Sequence, residues 1–386
     1  MISAGCSKYG RRDGLSGSEL FNEALVEVFQ NSSKLERKDI NALYLGQGFE
    51  SFEHRANPAA GLANNFGIAN IPSVRVETVS SSGASAFRQG VLGILSGSYD
   101  VVLVGGVEKM SSKDTAESLE IISMASDMPF EQWNGATLTA LNALAAREHM
   151  RKYGTTEEEL ASVSVKNHRN ALENPKAYIQ KAITIDDVLA SRKICTPLKL
   201  LDCSPMCDGA SCVAISKPEI AENFTDEPID VVASSEASDC DFIFREDLTE
   251  FRATKIAVRE ALSYCNMNVC DMDVIEVHDA FTINEIIAYE DLGLCEKGEG
   301  GKLAEKGQTS IDGDIPVNTS GGLKAKGHPI GSSGTGQVYE MYEQLSGKMP
   351  DTSRRKVRDA EVGMTHSMGG AGVTALVHVF RRRGSD

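Results

Sequence analysis

Apolar residues along this chain fall into two patterns. Short, nearly continuous runs at 74–79, 99–105 and 373–380 have the length and β-branched content of buried strands. Residues 82–95, 139–153, 156–172 and 335–345 instead repeat their apolar positions at helical spacing. Strands of this kind alternating with helices predict an α/β protein whose mostly parallel sheet is covered on both faces.

The pattern occurs twice. Asp39-Ile-Asn-Ala-Leu-Tyr-Leu-Gly46 is matched by Asp271-Met-Asp-Val-Ile-Glu-Val-His278, each a turn running into a strand. Ser81-Ser82-Gly83 returns as Ser332-Ser333-Gly334, and each is followed by a helical stretch ending in Ser-Gly, at Ser96-Gly97 and Ser346-Gly347. Two matches in the same order predict a duplicated βαβ unit. Residues 1–110 with 230–250 are expected to form an N-terminal half, and 251–386 a C-terminal half. Residues 111–229 read as an inserted loop or lid region, whose Met124, Met128, Phe130 and Trp133 are expected to serve packing.

Length and charge narrow the function. A chain of 386 residues is too long for one ordinary core, which suits two fused halves. The net charge of −16 argues against nucleic acid as a partner, because phosphate contacts need a basic surface. No apolar stretch has the length of a membrane span, and the opening residues do not read as a signal peptide. Nine cysteines, an odd number in a long chain, fit a reducing cytoplasm. Cys203, Cys207 and Cys212 lie close together, but their spacing matches no zinc pattern and no metal is expected.

Four segments concentrate chemistry. Glu77-Thr-Val-Ser80-Ser-Ser-Gly83 passes from a strand through small residues into a helix. Such an elbow aims one side chain and several free N–H groups at a single spot, although a serine-capped helix start has the same signature. Val277-His278-Asp279-Ala280-Phe281 ends the second-half strand, where a lone histidine is more often structural. In Asn318-Thr-Ser-Gly321-Gly322-Leu-Lys-Ala-Lys-Gly327-His328-Pro329-Ile330-Gly331, a histidine sits in a glycine-dense loop of the kind that lets a ligand approach closely. Thr365-His366-Ser367-Met368-Gly369-Gly370-Ala371-Gly372 is again glycine-rich.

In this order and over essentially the whole chain, these segments resemble the thiolase family. Gly105-Gly106-Val107-Glu108-Lys109-Met110-Ser111 and Ser204-Pro205-Met206-Cys207-Asp208-Gly209-Ala210 add to the likeness, and the His-Asp-Ala-Phe form is similar to sterol-carrier-type and archaeal acetoacetyl-CoA thiolases. Against that pattern the opening strand reads as shortened. The resemblance implies a five-layered αβαβα fold, soluble and cytoplasmic, and condensation or cleavage of 3-ketoacyl-CoA within the mevalonate pathway. It implies acyl-CoA as substrate and no permanently bound cofactor. His328 would be the base at the nucleophile, with His278 beside the enolate. The backbone N–H groups of Ser80 and Gly370 would form one oxyanion hole. Lys324, Gly327, Gly331 and Met124 would contact the CoA ester, and Lys324, Lys326 and Arg192-Lys193 are candidate cations for its phosphates. Implied partners are a second copy of the chain, with the strand before Ser80 near the interface, a 3-hydroxy-3-methylglutaryl-CoA synthase, and a zinc-ribbon/OB-fold acyl-CoA-binding protein.

Two positions depart from the family. The nucleophilic cysteine falls on Ser80, and the second acid/base cysteine falls on Ser367, with His366 beside it as a candidate substitute. A serine hydroxyl is a far weaker nucleophile than a thiolate near neutral pH. Three readings stay open: an introduced Cys-to-Ser change, a homologue that has lost condensation and binds acyl-CoA or scaffolds a partner, and a thiolase-like aldolase that forms no acyl-enzyme.

Overall fold

The computed structural model describes residues 1–384. Its strands, in chain order, are β1 (Ser3–Cys6), β2 (Ala42–Gly46), β3 (Ser73–Val76), β4 (Val101–Lys109), β5 (Lys193–Cys195), β6 (Leu198–Lys199), β7 (Asp208–Ser216), β8 (Ile229–Ser238), β9 (Val274–Glu276), β10 (Val362–Gly369) and β11 (Thr374–Arg382). One sheet runs β1-β7-β4-β2-β3 and a second runs β8-β11-β10-β9, with β5 and β6 as a small separate hairpin.

The two sheets repeat one topology. In the first, β1 and β4 flank β7 antiparallel, and β4, β2 and β3 run parallel. In the second, β8 and β10 flank β11 antiparallel, and β9 runs parallel to β10. A parallel bridge from Ile275 to Val317 stands where β2 pairs with β3. The repeated Asp-containing segments become matching parts: the tight turns Arg37–Asp39 and Val269–Asp271, each leading into the corresponding strand.

Helices complete five layers. Gly17–Asn31 covers the outer face of the first sheet with Leu20, Phe21, Ala24, Leu25 and Val28, a single buried stripe. Ser16 and Glu19 cap its start reciprocally. Arg252–Cys265 and Thr282–Leu292 lie on the outer side of the second sheet. Between the sheets, Ser82–Leu95 packs on Ile330–Leu345. Both central helices open on the Ser-Ser-Gly repeat because they meet there backbone to backbone. A Cβ on Gly83 would lie 2.8 Å from the Gly331 carbonyl oxygen and from the Thr335 nitrogen, so glycine is what permits the crossing.

The structure corrects three expectations. The second central helix begins at Ile330 rather than 335, because burial in the middle layer outweighs the poor helix propensity of its Gly/Ser-rich first turn. Residues 229–238 do not complete the N-terminal half: β8 pairs with β11 and opens the second sheet. Residues 208–216 are not part of the insertion, since β7 is the antiparallel partner of both β1 and β4. The chain therefore crosses between halves near the turn Pro218–Asn223, and the inserted region is confined to the segment between β4 and β7.

That region carries helices Thr115–Ser123, Leu138–Tyr153, Glu157–Ala171 and Ile185–Ala190. Its Met124, Met128, Phe130 and Trp133 do not serve the core; they are 52–76 % exposed. The turn that bears the last three is held by its own bonds, such as Phe130 N–H to Asp127 Oδ1 and Gln132 Nε2–H to the Ser126 carbonyl, which leaves apolar side chains outward. No described helix is long and apolar enough to cross a membrane.

Candidate active site

Ser80 lies in the one-turn helix Val79–Ser81, between β3 and Ser82–Leu95. Val79 takes φ +53°, a left-handed conformation costly for a β-branched residue, on the order of 1–3 kcal/mol. Neighbouring side chains hold it there. The Ser82 hydroxyl donates to the Val79 carbonyl at 2.5 Å, the Ser81 hydroxyl to the Thr78 carbonyl at 2.8 Å, and Val79 N–H to Glu77 Oε1 at 2.6 Å. The surrounding serines are thus fully engaged. Ser80, by contrast, is 4 % exposed and lines a cavity, and its hydroxyl has no hydrogen-bond partner among the described residues.

That cavity, about 470 Å3, brings Ser80, His278, His328 and Gly370 together. The two imidazoles meet edge to face, with ring centroids 5.2 Å apart. His328 Nδ1 lies 2.6 Å from the Ser333 hydroxyl, which also reaches the Pro329 carbonyl at 3.0 Å. A hydroxyl has one proton, and the carbonyl can only accept it. Ser333 therefore accepts from His328 Nδ1–H, and Nε2 is left as a lone-pair nitrogen for the cavity. Burial pushes the His328 imidazole down to about 3 and His278 well below its ordinary value, with His328 and His366 adding to the effect at His278. Both rings are neutral near pH 7.

The last glycine-rich turn closes directly on the Ser80 elbow. A Cβ on Gly369 would collide with the Thr78 carbonyl and lie 2.7 Å from the Ser81 hydroxyl, and Gly370 has φ +62°. Backbone of the two halves thus meets at Ser80 in a way only glycine allows.

Asp279 ties the two histidine loops together. Its carboxylate accepts from Leu323 N–H at 2.6 Å, Lys324 N–H at 3.2 Å and Asn167 Nδ2–H at 2.7 Å. Asn167 also donates to Glu285, as does Asn318, whose Oδ1 accepts Val277 N–H. Burial, then the Glu285 carboxylate, pushes Asp279 up to about 8. Sequence reasoning missed this role because the partners of Asp279 are distant in the chain or lie on the inserted helix, and it missed that of Ser333 because a serine in a helix's first turn reads as a cap rather than as a histidine's partner.

Other expected residues go elsewhere. Lys326 is buried, donating to Glu340 at 2.7 Å and to the Gly336 carbonyl, and cannot serve CoA phosphates. Lys324 is also buried, and burial, opposed by Cys203, Asp279 and Asp202, brings it down to about 8. Gly327 is a turn position with φ +116° against Cys207, and Gly331 donates its N–H to Glu108; neither lines the cavity, nor does Met124. His366 alternates with Ser367 onto the opposite face of β10, bonding Thr254 of the outer helix at 2.9 Å. It does not reach the cavity. Ser367 is buried with its hydroxyl unpaired among the described residues and does not line the cavity either. Arg192 and Lys193 do line it, both exposed. Cys203 also lines it, its thiol pushed up to about 12 by burial, then by Asp202.

Glu108 is a buried carboxyl that joins the halves, accepting from Gly48, Phe49 and Gly331 N–H groups. Burial pushes it up to about 8. Its contribution to stability is therefore present below about pH 4.5 and lost as pH rises through about 8. Glu108→Gln keeps an acceptor and removes that loss. Between about pH 5 and pH 9, urea unfolding should move in favour of the variant relative to wild type by about 4 kcal/mol. An unchanged difference would show that Glu108 ionises freely.

Sheet order, paired central helices and a two-histidine cavity under a strained elbow define a thiolase-type fold. The chain belongs to the thiolase family: residues 1–218 match the thiolase N-terminal domain and residues 235–382 the thiolase C-terminal domain-like family. The acetyl-CoA acetyltransferase of Methanothermobacter thermautotrophicus is 42 % identical over 384 residues, covering 99 % of each chain. Among solved structures, the Ltp2-ChsH2(DUF35) aldolase matches with a TM-score of 0.84 at 24 % identity, over 100 % of this chain and 98 % of that one. Human mitochondrial 3-ketoacyl-CoA thiolase in complex with CoA matches with a TM-score of 0.76 at 16 % identity, over 99 % and 97 %. At these identities the structural likeness speaks for the fold alone.

Proposed function

We propose that this chain is an acyl-CoA C-acetyltransferase of the acetoacetyl-CoA thiolase type, whose acyl-transfer step is slowed by Ser80. The observation that carries this reading is the Ser80 hydroxyl, presented by a strained elbow into the cavity that holds both neutral histidines. Arg192 and Lys193 are the cations available there for CoA phosphates. In thiolysis, the group at position 80 attacks the 3-keto carbonyl while His328 Nε2 takes its proton. The Cα–Cβ bond then breaks, and its electron pair leaves as the acetyl-CoA enolate, which is protonated beside His278. A CoA thiol next attacks the acyl group on residue 80 and releases acyl-CoA. Oxyanions form at the attacked carbonyls, within reach of the Ser80 and Gly370 N–H groups.

Serine weakens the first step because its hydroxyl is not ionised near neutral pH, and His328, whose conjugate acid titrates near 3, holds the released proton poorly. The protein as it stands should bind acetoacetyl-CoA, seen by calorimetry, yet release acetyl-CoA from acetoacetyl-CoA and CoA only slowly.

The same serine supports a second reading, an aldolase that cleaves a CoA thioester without acylating the enzyme. That enzyme releases an aldehyde or ketone from a 3-hydroxyacyl-CoA, and its appearance when a 3-hydroxyacyl-CoA is supplied as substrate would replace the first reading. Binding without turnover of either substrate class, even with cysteine at position 80, would leave a scaffold.

Self-association belongs to the proposal. β3 is an edge strand with Val74 49 % exposed, and the Met124–Trp133 turn adds an exposed apolar patch. Sedimentation equilibrium should give a dimer or larger; a monomer at micromolar concentration would contradict it.

A further inference from the structure

Ser333, the partner of His328 Nδ1, lines a second, small cavity of about 10 Å3 that shares no lining residue with the large one. A cavity of that size has room for about one water, provided polar groups meet it. Ser333, Gln337, Glu276, Ser320 and Lys326 line it, all buried. Gln337 gives Nε2–H to the His366 carbonyl at 3.0 Å, while its Oε1 is buried without a partner among the described residues. A buried acceptor left unpaired is costly, about 1–3 kcal/mol, and calls for a donor.

We propose that one water occupies this cavity and links Ser333, and through it Nδ1 of His328, to the carboxyl group of Glu276. Glu276 is then a positioning residue for the base. The proposal rests on His328 acting as base in the thiolase reading.

The donors and acceptors close around such a water. Lys326 Nζ spends two of its three N–H groups on Glu340 and the Gly336 carbonyl, leaving one for the water. Ser333 donates to Pro329 and accepts from His328, so its second lone pair takes a proton from the water. Gln337 Oε1 takes the other. Glu276 already accepts from Ser320 N–H at 3.0 Å and from the Ser320 hydroxyl at 2.5 Å. When protonated it donates to the water and preserves this arrangement. When ionised it needs one of the water's protons, and either Ser333 or Gln337 loses its donor.

The charged surroundings place this change near neutrality. Burial and the Glu340 carboxylate push Glu276 up, against the pull of Lys326, to about 7. Arg355 binds the far oxygen of Glu340, while Tyr9 and Cys6 approach Lys326 from the first half. The His328 imidazole itself, titrating near 3, does not change charge in this range.

The test is nitrogen-15 NMR of the His328 ring in the full chain. Its Nδ1 signal should report the Nδ1–H tautomer and move with a midpoint near pH 7 while the ring stays neutral. Glu276→Gln should abolish that midpoint, and Ser333→Ala should uncouple the ring from it. A folded wild type whose His328 signals are flat from about pH 6 to pH 8 overturns the proposal, as does a midpoint that survives Glu276→Gln. If Glu276→Gln does not fold, the wild-type titration and Ser333→Ala still decide. Because the readout is protonation rather than turnover, it is independent of whether the thiolase reading holds.

Discussion

Ser80→Cys should raise acetoacetyl-CoA thiolysis by roughly a thousandfold over the chain as it stands. The elbow already supplies what a thiol needs there. Val79 is held left-handed by Ser82 and Glu77, the Gly369-Gly370 turn closes on the residue, and His328 presents a lone pair to the cavity. A thiol gives up its proton far more readily than a hydroxyl, and a thioester intermediate passes its acyl group on more readily than an oxygen ester. Sulfur is only slightly larger than oxygen, so the packing should hold and CoA-ester affinity should change little. Steady-state thiolysis followed by loss of the acetoacetyl-CoA enolate absorbance measures the gain. A variant as inactive as the parent would remove the thiolase mechanism.

His328→Ala, made together with Ser80→Cys, should cost about a thousandfold in kcat. His278, its ring centroid 5.2 Å from that of His328, has the place beside the enolate in this reading, and His366 faces the outer helix through Thr254. Binding of acetoacetyl-CoA should persist, because the rest of the cavity wall, Arg192 and Lys193 included, is untouched. Comparing kcat with the calorimetric Kd of the double variant separates the two. A loss of less than about tenfold would mean that another group takes the proton.

Much of this was legible in the sequence, for physical reasons. The duplicated turn-strand and Ser-Ser-Gly segments became matched strands and the crossing central helices, because those positions carry constraints that composition displays. Ser80, His278, His328 and Gly370 converge because each follows a strand or opens a helix at the same end of its sheet. What failed was pairing at a distance. Nothing local to 229–238 reveals that β8 pairs with a strand more than a hundred residues on. Lys324 and Lys326 read as surface cations beside a glycine loop, yet Lys326 neutralises Glu340 in the interior. His366 and Ser367 are adjacent in sequence, and strand pleating sends them to opposite faces. Met124 and its aromatic neighbours looked like packing because apolar residues usually are, and a self-bonded turn turned them outward instead.

In this reading position 80 is the acyl acceptor of the cavity. Mixing the Ser80→Cys protein with acetoacetyl-CoA, quenching with acid and mapping peptides by mass spectrometry tests it directly. The expected result is an acetyl group on residue 80, formed together with one equivalent of acetyl-CoA and lost as a second acetyl-CoA when CoA is added. Turnover with no acyl group on the peptide that contains residue 80, or an acyl group on Cys203 instead, would contradict it.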